Sequence, residues 1–384
     1  MTYEFEIPVM QAIERRTGHG RYPVTLVGYG RYGNYIGPKY ARCGHPWEIH
    51  AVVDPQVSRD AFDQTVLGKL RPHTQLLQTA EAWSQQYFSK LEPSKRSQVV
   101  VELALAADKV LEAARQYILA GVKNLILPKP VVDTEEALVE LIELVRRHRV
   151  KAAVASQWFY SSLPRIVARD LRRLTSGPGA PHPDLDRVVI EFSKENGHGI
   201  APAPLCELPH ALQILDCAGL LEGGQRECID SEPWAVTVKY AVPHVRQGVF
   251  AIARMDYERK PSQQHIHTDW DYQERTLKVY GAGPHPLLWA DLWIKFSRSG
   301  NSIVHAGRYN TLEPDGRVHS HGIAEDMLQQ MHEAIFEAFD LPWEQFEASD
   351  AALPLSRYSP IGLELTRCHK AWKEANETFA SNAA

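Results

Sequence analysis

Residues 24–37 read VTLVGYGRYGNYIG: an apolar run from Val24 to Val27, followed at once by Gly28, Gly30 and Gly33 in G-x-G-x-x-G spacing. The spacing has a physical purpose. Gly28 permits a sharp turn from strand to helix, Gly30 lets backbone approach a pyrophosphate, and Gly33 lets the helix lie close to the strand. The helix expected next, from about Asn34 to Cys43, directs unpaired N–H groups at phosphate. A second apolar run, Glu48 to Val53, ends on Asp54, 21 positions after Gly33. Strand, turn, helix, strand and terminal acid in this order predict a dinucleotide-binding unit. The glycines alone are also compatible with a purely structural βαβ turn.

The offset of Asp54 suits a carboxylate that meets the adenosine ribose 2′-hydroxyl, which leans the cofactor toward NAD over NADP. Arg59, five residues on, and Arg31, inside the glycine turn, are the cations that would accommodate a 2′-phosphate instead. An exposed turn arginine with no such role is an equal reading of Arg31. Tyr32 shares that turn and joins the predicted cofactor-contacting set.

A chain of 384 residues is long enough for two domains. Apolar residues make up 44% and charged residues 23%, the balance of a soluble globular protein, and the formal charge of −5 argues against nucleic acid or a membrane surface as main partner. No apolar run approaches a bilayer span, and the start, MTYEFEIPVMQAIERR, carries acids where a secretory signal carries basic and then apolar residues. A cytoplasmic protein is expected. Its five cysteines form no C-x-x-C pair, so neither a disulfide framework nor a zinc ribbon is predicted.

Alternation of strands and helices continues through about residue 155. Val57 to Gln86 reads as helix, linker and helix, and Val99 to Leu105 as a buried strand. Asp108 to Ala120 is helical, closed by Gly121, and Leu125 to Leu127 is a strand that ends at Pro128-Lys129-Pro130. Asp133, Thr134 and Glu136 open a helix to Arg147, and Lys151 to Ala155 is another strand. This predicts a parallel, doubly wound sheet. Beyond it the pattern changes: a basic amphipathic helix (Pro164 to Leu174), a turn-rich loop, strands over 187–192, 235–242, 249–256 and 276–280 and further short runs, with a helix at 208–220 among them. Two helices, near 324–339 and 361–378, close the chain. The expected architecture is α/β: a Rossmann dinucleotide-binding domain over 1–155, then an α/β domain over 156–384 with an open, mostly antiparallel sheet for substrate binding and oligomerisation, the C-terminal helix packing back on the first domain.

Two residues stand out for chemistry. Lys129 sits at the carboxyl end of a sheet strand, where open α/β sheets bind ligands, between prolines that stiffen its backbone. Its ammonium is suited to hydrogen-bond a substrate oxygen as alkoxide character develops beside a nicotinamide. A solvated turn lysine is the plain alternative. His210, in LCELPHALQILDCAGL, lies in the first turns of a helix and is suited to shuttle a hydroxyl proton. Glu207, three residues earlier, can share its face and orient the ring. A lone helix histidine is also a common structural residue.

The glycine turn, the Pro-Lys-Pro after a strand, the segment VASQWFYSSLP and a later helix with a single histidine, in this order, resemble the Gfo/Idh/MocA oxidoreductases over nearly the whole chain. In that family the tripeptide is Glu-Lys-Pro, so Lys129 and Pro130 match its lysine and proline near the nicotinamide, and Pro128 replaces the acid. The family helix reads Asp-x-x-x-His: His210 matches the acid/base histidine, Cys206 stands where the aspartate would be, and Glu207 is offset by one. The Thr-Pro after the fourth strand is absent, the chain reading Leu103-Ala104-Leu105-Ala106-Ala107. These departures mark a divergent branch.

The resemblance implies an NAD(P)-dependent dehydrogenase or reductase acting on a C–OH/C=O pair of a small polar or sugar-like molecule, assembled as a homodimer or homotetramer. Reduction of a C=N bond, as in imines or linear tetrapyrroles, is the second reading, and a non-catalytic dinucleotide sensor or scaffold the third. Gln157, Trp158 and Tyr160 become substrate-pocket candidates beside Glu207 and His210, although aromatic residues here suit an interdomain core equally. His265, His267 and Asp269, and later His319 and His321, have the H-x-H spacing of strand metal ligands. No metal is expected, because nicotinamide chemistry needs none.

Overall fold

A computed structural model describes residues 22–30, 33–34, 36–37, 47–175, 185–195, 207–232, 235–256, 270–296, 303–312 and 315–382. By internal contacts the chain divides into two compact units, Met1–Val101 and Glu102–Ala384.

In the first unit, β1 (Tyr22–Val27) is buried along its whole length and pairs in parallel with β2 (Trp47–Val53). Uninterrupted burial is what a strand covered on both faces requires, and the polar Thr25 side chain on it is hydrogen-bonded. The stretch read as helix, linker and helix holds more: short helices Arg59–Gln64 and Val66–Leu70, then strand β3 (Gln75–Leu77) parallel to β2, then helix Ala80–Gln86. The strand escaped prediction because it has three residues, with Gln75 exposed at the sheet's edge. Ser58, Thr65 and Thr79 each cap a helix, their hydroxyls accepting from Ala61, Gly68 and Ala82 N–H groups. Trp83 anchors the last of these helices, its indole N–H donating to the buried Thr25 hydroxyl at 2.9 Å.

Strand β4 (Val100–Leu103) spans the division, and β5 (Asn124–Leu127) and β6 (Lys151–Val154) pair in parallel. The six strands run in the order β3-β2-β1-β4-β5-β6, the doubly wound arrangement expected. The connecting helices end by recognisable chemistry. After helix Ala107–Leu119, Gly121 at φ 104° lets Val122 N–H reach Tyr117 C=O at 3.1 Å, while Thr134 caps Glu135–His148, with acids in its first turn and bases in its last.

The second sheet has eight strands in the order β14-β13-β12-β11-β7-β10-β9-β8. They are β7 (Arg187–Glu195), β8 (Gln225–Glu232), β9 (Ala235–Val242), β10 (Val245–Asp256), β11 (Trp270–Tyr280), β12 (Pro286–Phe296), β13 (Ile303–Leu312) and β14 (Val318–Glu325). Neighbouring strands pair antiparallel except β7 with β10, which run parallel. Strand β8 was not predicted: its sequence, QRECIDSE, is polar and mostly exposed, as an edge strand allows. On β7, Val188, Ile190 and Phe192 are buried while Val189, Glu191 and Ser193 are half-buried, so one face meets helix Leu208–Cys217.

The closing helix begins at Leu355 rather than near Ile361 and runs to Asn382 through Pro360. Proline lacks the N–H that the Ser356 carbonyl would otherwise accept. The Ser359 hydroxyl donates to that carbonyl at 2.7 Å, and so the helix passes the proline. This helix packs on Glu135–His148, with Arg367 paired to Glu135 at 3.2 Å.

Candidate active site

In the first unit the glycine turn is built by backbone. Gly28 has φ 86°, a left-handed conformation that favours glycine, and its N–H donates to Val53 C=O at 2.9 Å. The next N–H, that of Tyr29, donates to Asp54 Oδ2 at 2.6 Å, and Gln56 N–H donates to Oδ1 at 2.8 Å. Both oxygens of the buried carboxylate are therefore fixed at the end of β2, with lone pairs left on each. A Cβ built on Gly30 meets no atom within 4 Å, and Gly30 is exposed. Among the described residues no neighbour demands glycine there. Gly33 is buried and helical, and Gly30 C=O accepts the Asn34 N–H at 2.9 Å. Arg31 and Tyr32 lie outside the described residues.

Arg59 is engaged within its own unit. Its guanidinium donates to Thr74 C=O at 2.8 Å and Pro72 C=O at 2.6 Å, and pairs with Asp63 at 3.0 Å. The Tyr29 ring, which no sequence signal singled out, packs on Phe62, and its hydroxyl donates to Thr65 at 3.1 Å.

In the second unit the chain leaves β5 through buried Pro128 and half-buried Lys129, and the Lys129-Pro130 peptide is cis. Lys129 Nζ lies 2.7 Å from His210 Nε2. His210 stands in the first turn of helix Leu208–Cys217, where Pro209 costs no hydrogen bond, and is 3% exposed. Glu207 is buried at the helix start, its carbonyl accepting the His210 N–H at 3.1 Å.

An ammonium has donors only, so when Lys129 is charged Nε2 accepts and the imidazole proton sits on Nδ1. Two full charges at this separation would repel by about 6 kcal/mol at an effective dielectric of 20. Full charge on both groups at once is therefore disfavoured.

The other expected pocket residues fall in different settings. Gln157 is half-buried at the start of the short helix Gln157–Tyr160. Trp158 is 2% exposed and packs on His210. Tyr160 is buried, its hydroxyl accepts the Leu353 N–H at 3.1 Å, and burial pushes its ionisation above the ordinary tyrosine range. Two further residues join the neighbourhood. Phe192 of β7 lies against the His210 ring, and Gln213, one turn beyond His210, is fully buried with its Nε2 donating to Cys217 Sγ at 3.2 Å. Phe192 belongs to a plain apolar alternation and Gln213 to an apolar helix, so neither advertised itself in sequence.

Cys206, His265, His267 and Asp269 lie outside the described residues. His319 and His321 are exposed on β14, with His321 stacked on Tyr309, and among the described residues no group of three or more metal-ligating side chains occurs. Among them, too, no helix is long and apolar enough to cross a membrane.

No protein-family model matches the chain, and no curated protein matches it in sequence. Solved structures do match. KijD10, a 3-ketoreductase from Actinomadura kijaniata solved with NADP, superposes with a TM-score of 0.61 at 13% identity, covering 92% of this chain and 97% of that one. The UDP-N-acetylglucosamine 3-dehydrogenase GnnA from Acidithiobacillus ferrooxidans gives 0.58 at 13%, covering 91% and 98%. The dehydrogenase MviM from Clostridium difficile gives 0.60 at 9%, covering 92% and 99%. At these identities the likeness establishes the fold alone, a Rossmann-like sheet followed by a large open one.

Proposed function

We propose that this protein is an NAD(P)-dependent oxidoreductase that interconverts a C–OH and a C=O group on a small polar or sugar-like substrate. The observation that carries the reading is the 2.7 Å contact of Lys129 Nζ with His210 Nε2 beyond the carboxyl end of β5. Ligands of open α/β sheets bind at such strand ends. The fold supports it: KijD10 is a 3-ketoreductase and GnnA a 3-dehydrogenase.

The residues of the first unit that would hold the dinucleotide are the Gly28–Gly30–Gly33 turn and Asp54. When bound, the nicotinamide supplies or takes up the hydride. This chain's side chains handle the proton. Lys129 donates a hydrogen bond to the substrate oxygen, which strengthens as that oxygen becomes more negative. In oxidation the Lys129–His210 pair, in the form with neither group charged, accepts the hydroxyl proton and becomes singly cationic, and in reduction the singly cationic pair returns it. Because full charge on both is disfavoured at this distance, the two residues act as a single acid/base.

Of the two dinucleotides the reading favours NAD. Asp54 offers a fixed acceptor for a ribose hydroxyl, while Arg59 is engaged by Pro72, Thr74 and Asp63. The nucleotide domain is taken as residues 1–155 and the substrate domain as 156–384, with Gln157 the half-buried polar group nearest in sequence to the pocket. A cytoplasmic homodimer or homotetramer is proposed, joined through the open sheet, whose outward positions Val189, Phe250, Ile252 and Trp289 are apolar and half-buried.

The test is oxidation of a panel of sugars and nucleotide sugars with NAD and NADP, comparing wild type with Lys129→Met. Turnover of a panel member that falls in the variant supports the reading. Cofactor binding with no turnover of any member, in either direction, overturns it in favour of a sensor.

A further inference from the structure

The orientation of the His210 ring is not set by its own helix. The torsion that turns an imidazole about its Cβ–Cγ bond is broad and roughly two-fold, so a histidine on a helix presents either edge unless its surroundings forbid one. Here rings from two other elements close on it. Phe192 of β7 stacks on the imidazole with centroids 5.8 Å apart and planes 27° apart. Trp158 meets it edge-on at 6.3 Å and 75°. The two aromatic rings brace each other at 5.7 Å and 87°, and both are buried, Phe192 at 0% exposure and Trp158 at 2%.

This arrangement separates the two rings from the substrate. Side chains so fully enclosed present no face to a ligand, yet they border the one imidazole whose Nε2 meets Lys129. Close-packed interiors resist rotation of a flat ring between flat neighbours.

We propose that Phe192 and Trp158 are positioning residues, which lock the plane of the His210 imidazole so that Nε2 faces Lys129 Nζ. The proposal rests on the reading of Lys129 and His210 as the proton-handling pair. It moves Trp158 from the substrate pocket to the support of the acid/base.

The experiment uses the full chain labelled with 15N-histidine, with the His210 signals identified by their loss in His210→Asn. Wild type should show His210 as one tautomer, protonated on Nδ1 and accepting at Nε2. Phe192→Leu and Trp158→Leu should give signals averaged between tautomers, and on an active substrate kcat should fall about tenfold or more with KM little changed, the pattern of lost reactive geometry. Trp158→Phe, which restores an aromatic edge, should recover most of both. Phe346→Leu is the control: it removes an equally buried ring, which stacks on Phe339 and not on His210.

Should Phe192→Leu not fold, the two Trp158 variants decide. A wild-type tautomer and kcat retained in the leucine variants overturn the proposal, as does an equal change in Phe346→Leu. If wild-type His210 shows no preference for Nδ1 protonation, the Lys129–His210 reading fails first and the proposal with it.

Discussion

Lys129 and His210, 81 residues apart in sequence, meet at 2.7 Å between Nζ and Nε2. Two groups this close, which are disfavoured from holding full charge together, should lose their function as a unit. Lys129→Met is expected to lower kcat by about 10² to 10³, the usual loss for one donor to a developing oxyanion. His210→Asn should cost a comparable amount, and the double variant little more than either single one. Steady-state rates of the four proteins across pH check this. Fully multiplicative losses would mean that the two groups act separately.

The glycine turn separates binding from folding. A Cβ at Gly30 meets nothing within 4 Å among the described residues, so Gly30→Val should leave thermal stability within about 0.5 kcal/mol, as for ordinary surface changes. Its affinity for NADH and NADPH should collapse, because the branched side chain fills the space left for the pyrophosphate. Gly68→Ala is the opposite case. There a Cβ would stand 2.2 Å from the Phe62 carbonyl oxygen, and the first unit should be strongly destabilised. Fluorescence titration and thermal melts of both variants test the contrast, and undiminished cofactor affinity in Gly30→Val would sink the dinucleotide assignment.

Asp54 has two tasks and its replacement should show both. Asp54→Ala strands the Tyr29 and Gln56 N–H groups that the carboxylate now accepts. Leaving a buried donor unmet costs about 1–3 kcal/mol. The same change removes the charge that repels a 2′-phosphate, so the ratio of NAD to NADP affinity should narrow or invert. A strong wild-type preference for NADP would remove the discriminating role and return attention to Arg31.

The difference between what could and could not be read from the chain follows from the range of the interactions. Gly28, Gly30, Gly33 and Asp54 were legible as candidates because a tight strand-to-helix turn and an acid at a strand end restrict residue type within a few positions. Lys129 was legible as the residue after a buried strand, and His210 as a polar group in an apolar helix. Their meeting was not, since it depends on tertiary packing that no local pattern encodes. Phe192 was hidden by its ordinariness, as the third apolar residue of the Val188, Ile190, Phe192 alternation. Strands β3 and β8 were missed because edge strands carry little apolar signal, and the start of the last helix because Pro360 reads as a breaker until Ser359 supplies the missing hydrogen bond.

The outward face of the eight-stranded sheet should decide assembly. Phe250, Ile252 and Trp289 are half-buried there on central strands, and light scattering at micromolar concentration should give a dimer or tetramer. Ile252→Glu should shift the protein toward its monomer mass of 43.3 kDa. A wild-type monomer would count against pairing through this face.

His369 should make the fold acid-sensitive. It lies in the last helix with its ring stacked on Trp372 at 6.0 Å and 11°, and Nδ1 has no hydrogen-bond partner among the described residues. Burial, aided by the Lys373 charge and opposed by Asp133, lowers its ionisation from 6.5 to about 4. The unfolded chain thus binds a proton at this residue below about pH 6.5 that the folded chain refuses until about pH 4. Wherever the unfolded state holds more protons, stability rises with pH. The stability His369 contributes is therefore complete above about 6.5 and is lost as the pH falls toward 4. His369→Phe keeps an aromatic ring against Trp372, gives up no hydrogen bond at Nδ1 and cannot be protonated. Denaturant melts between pH 7.5 and 4 should show a shallower loss of stability in the variant than in wild type. Parallel curves for the two proteins would show that His369 is not among the groups that drive acid unfolding.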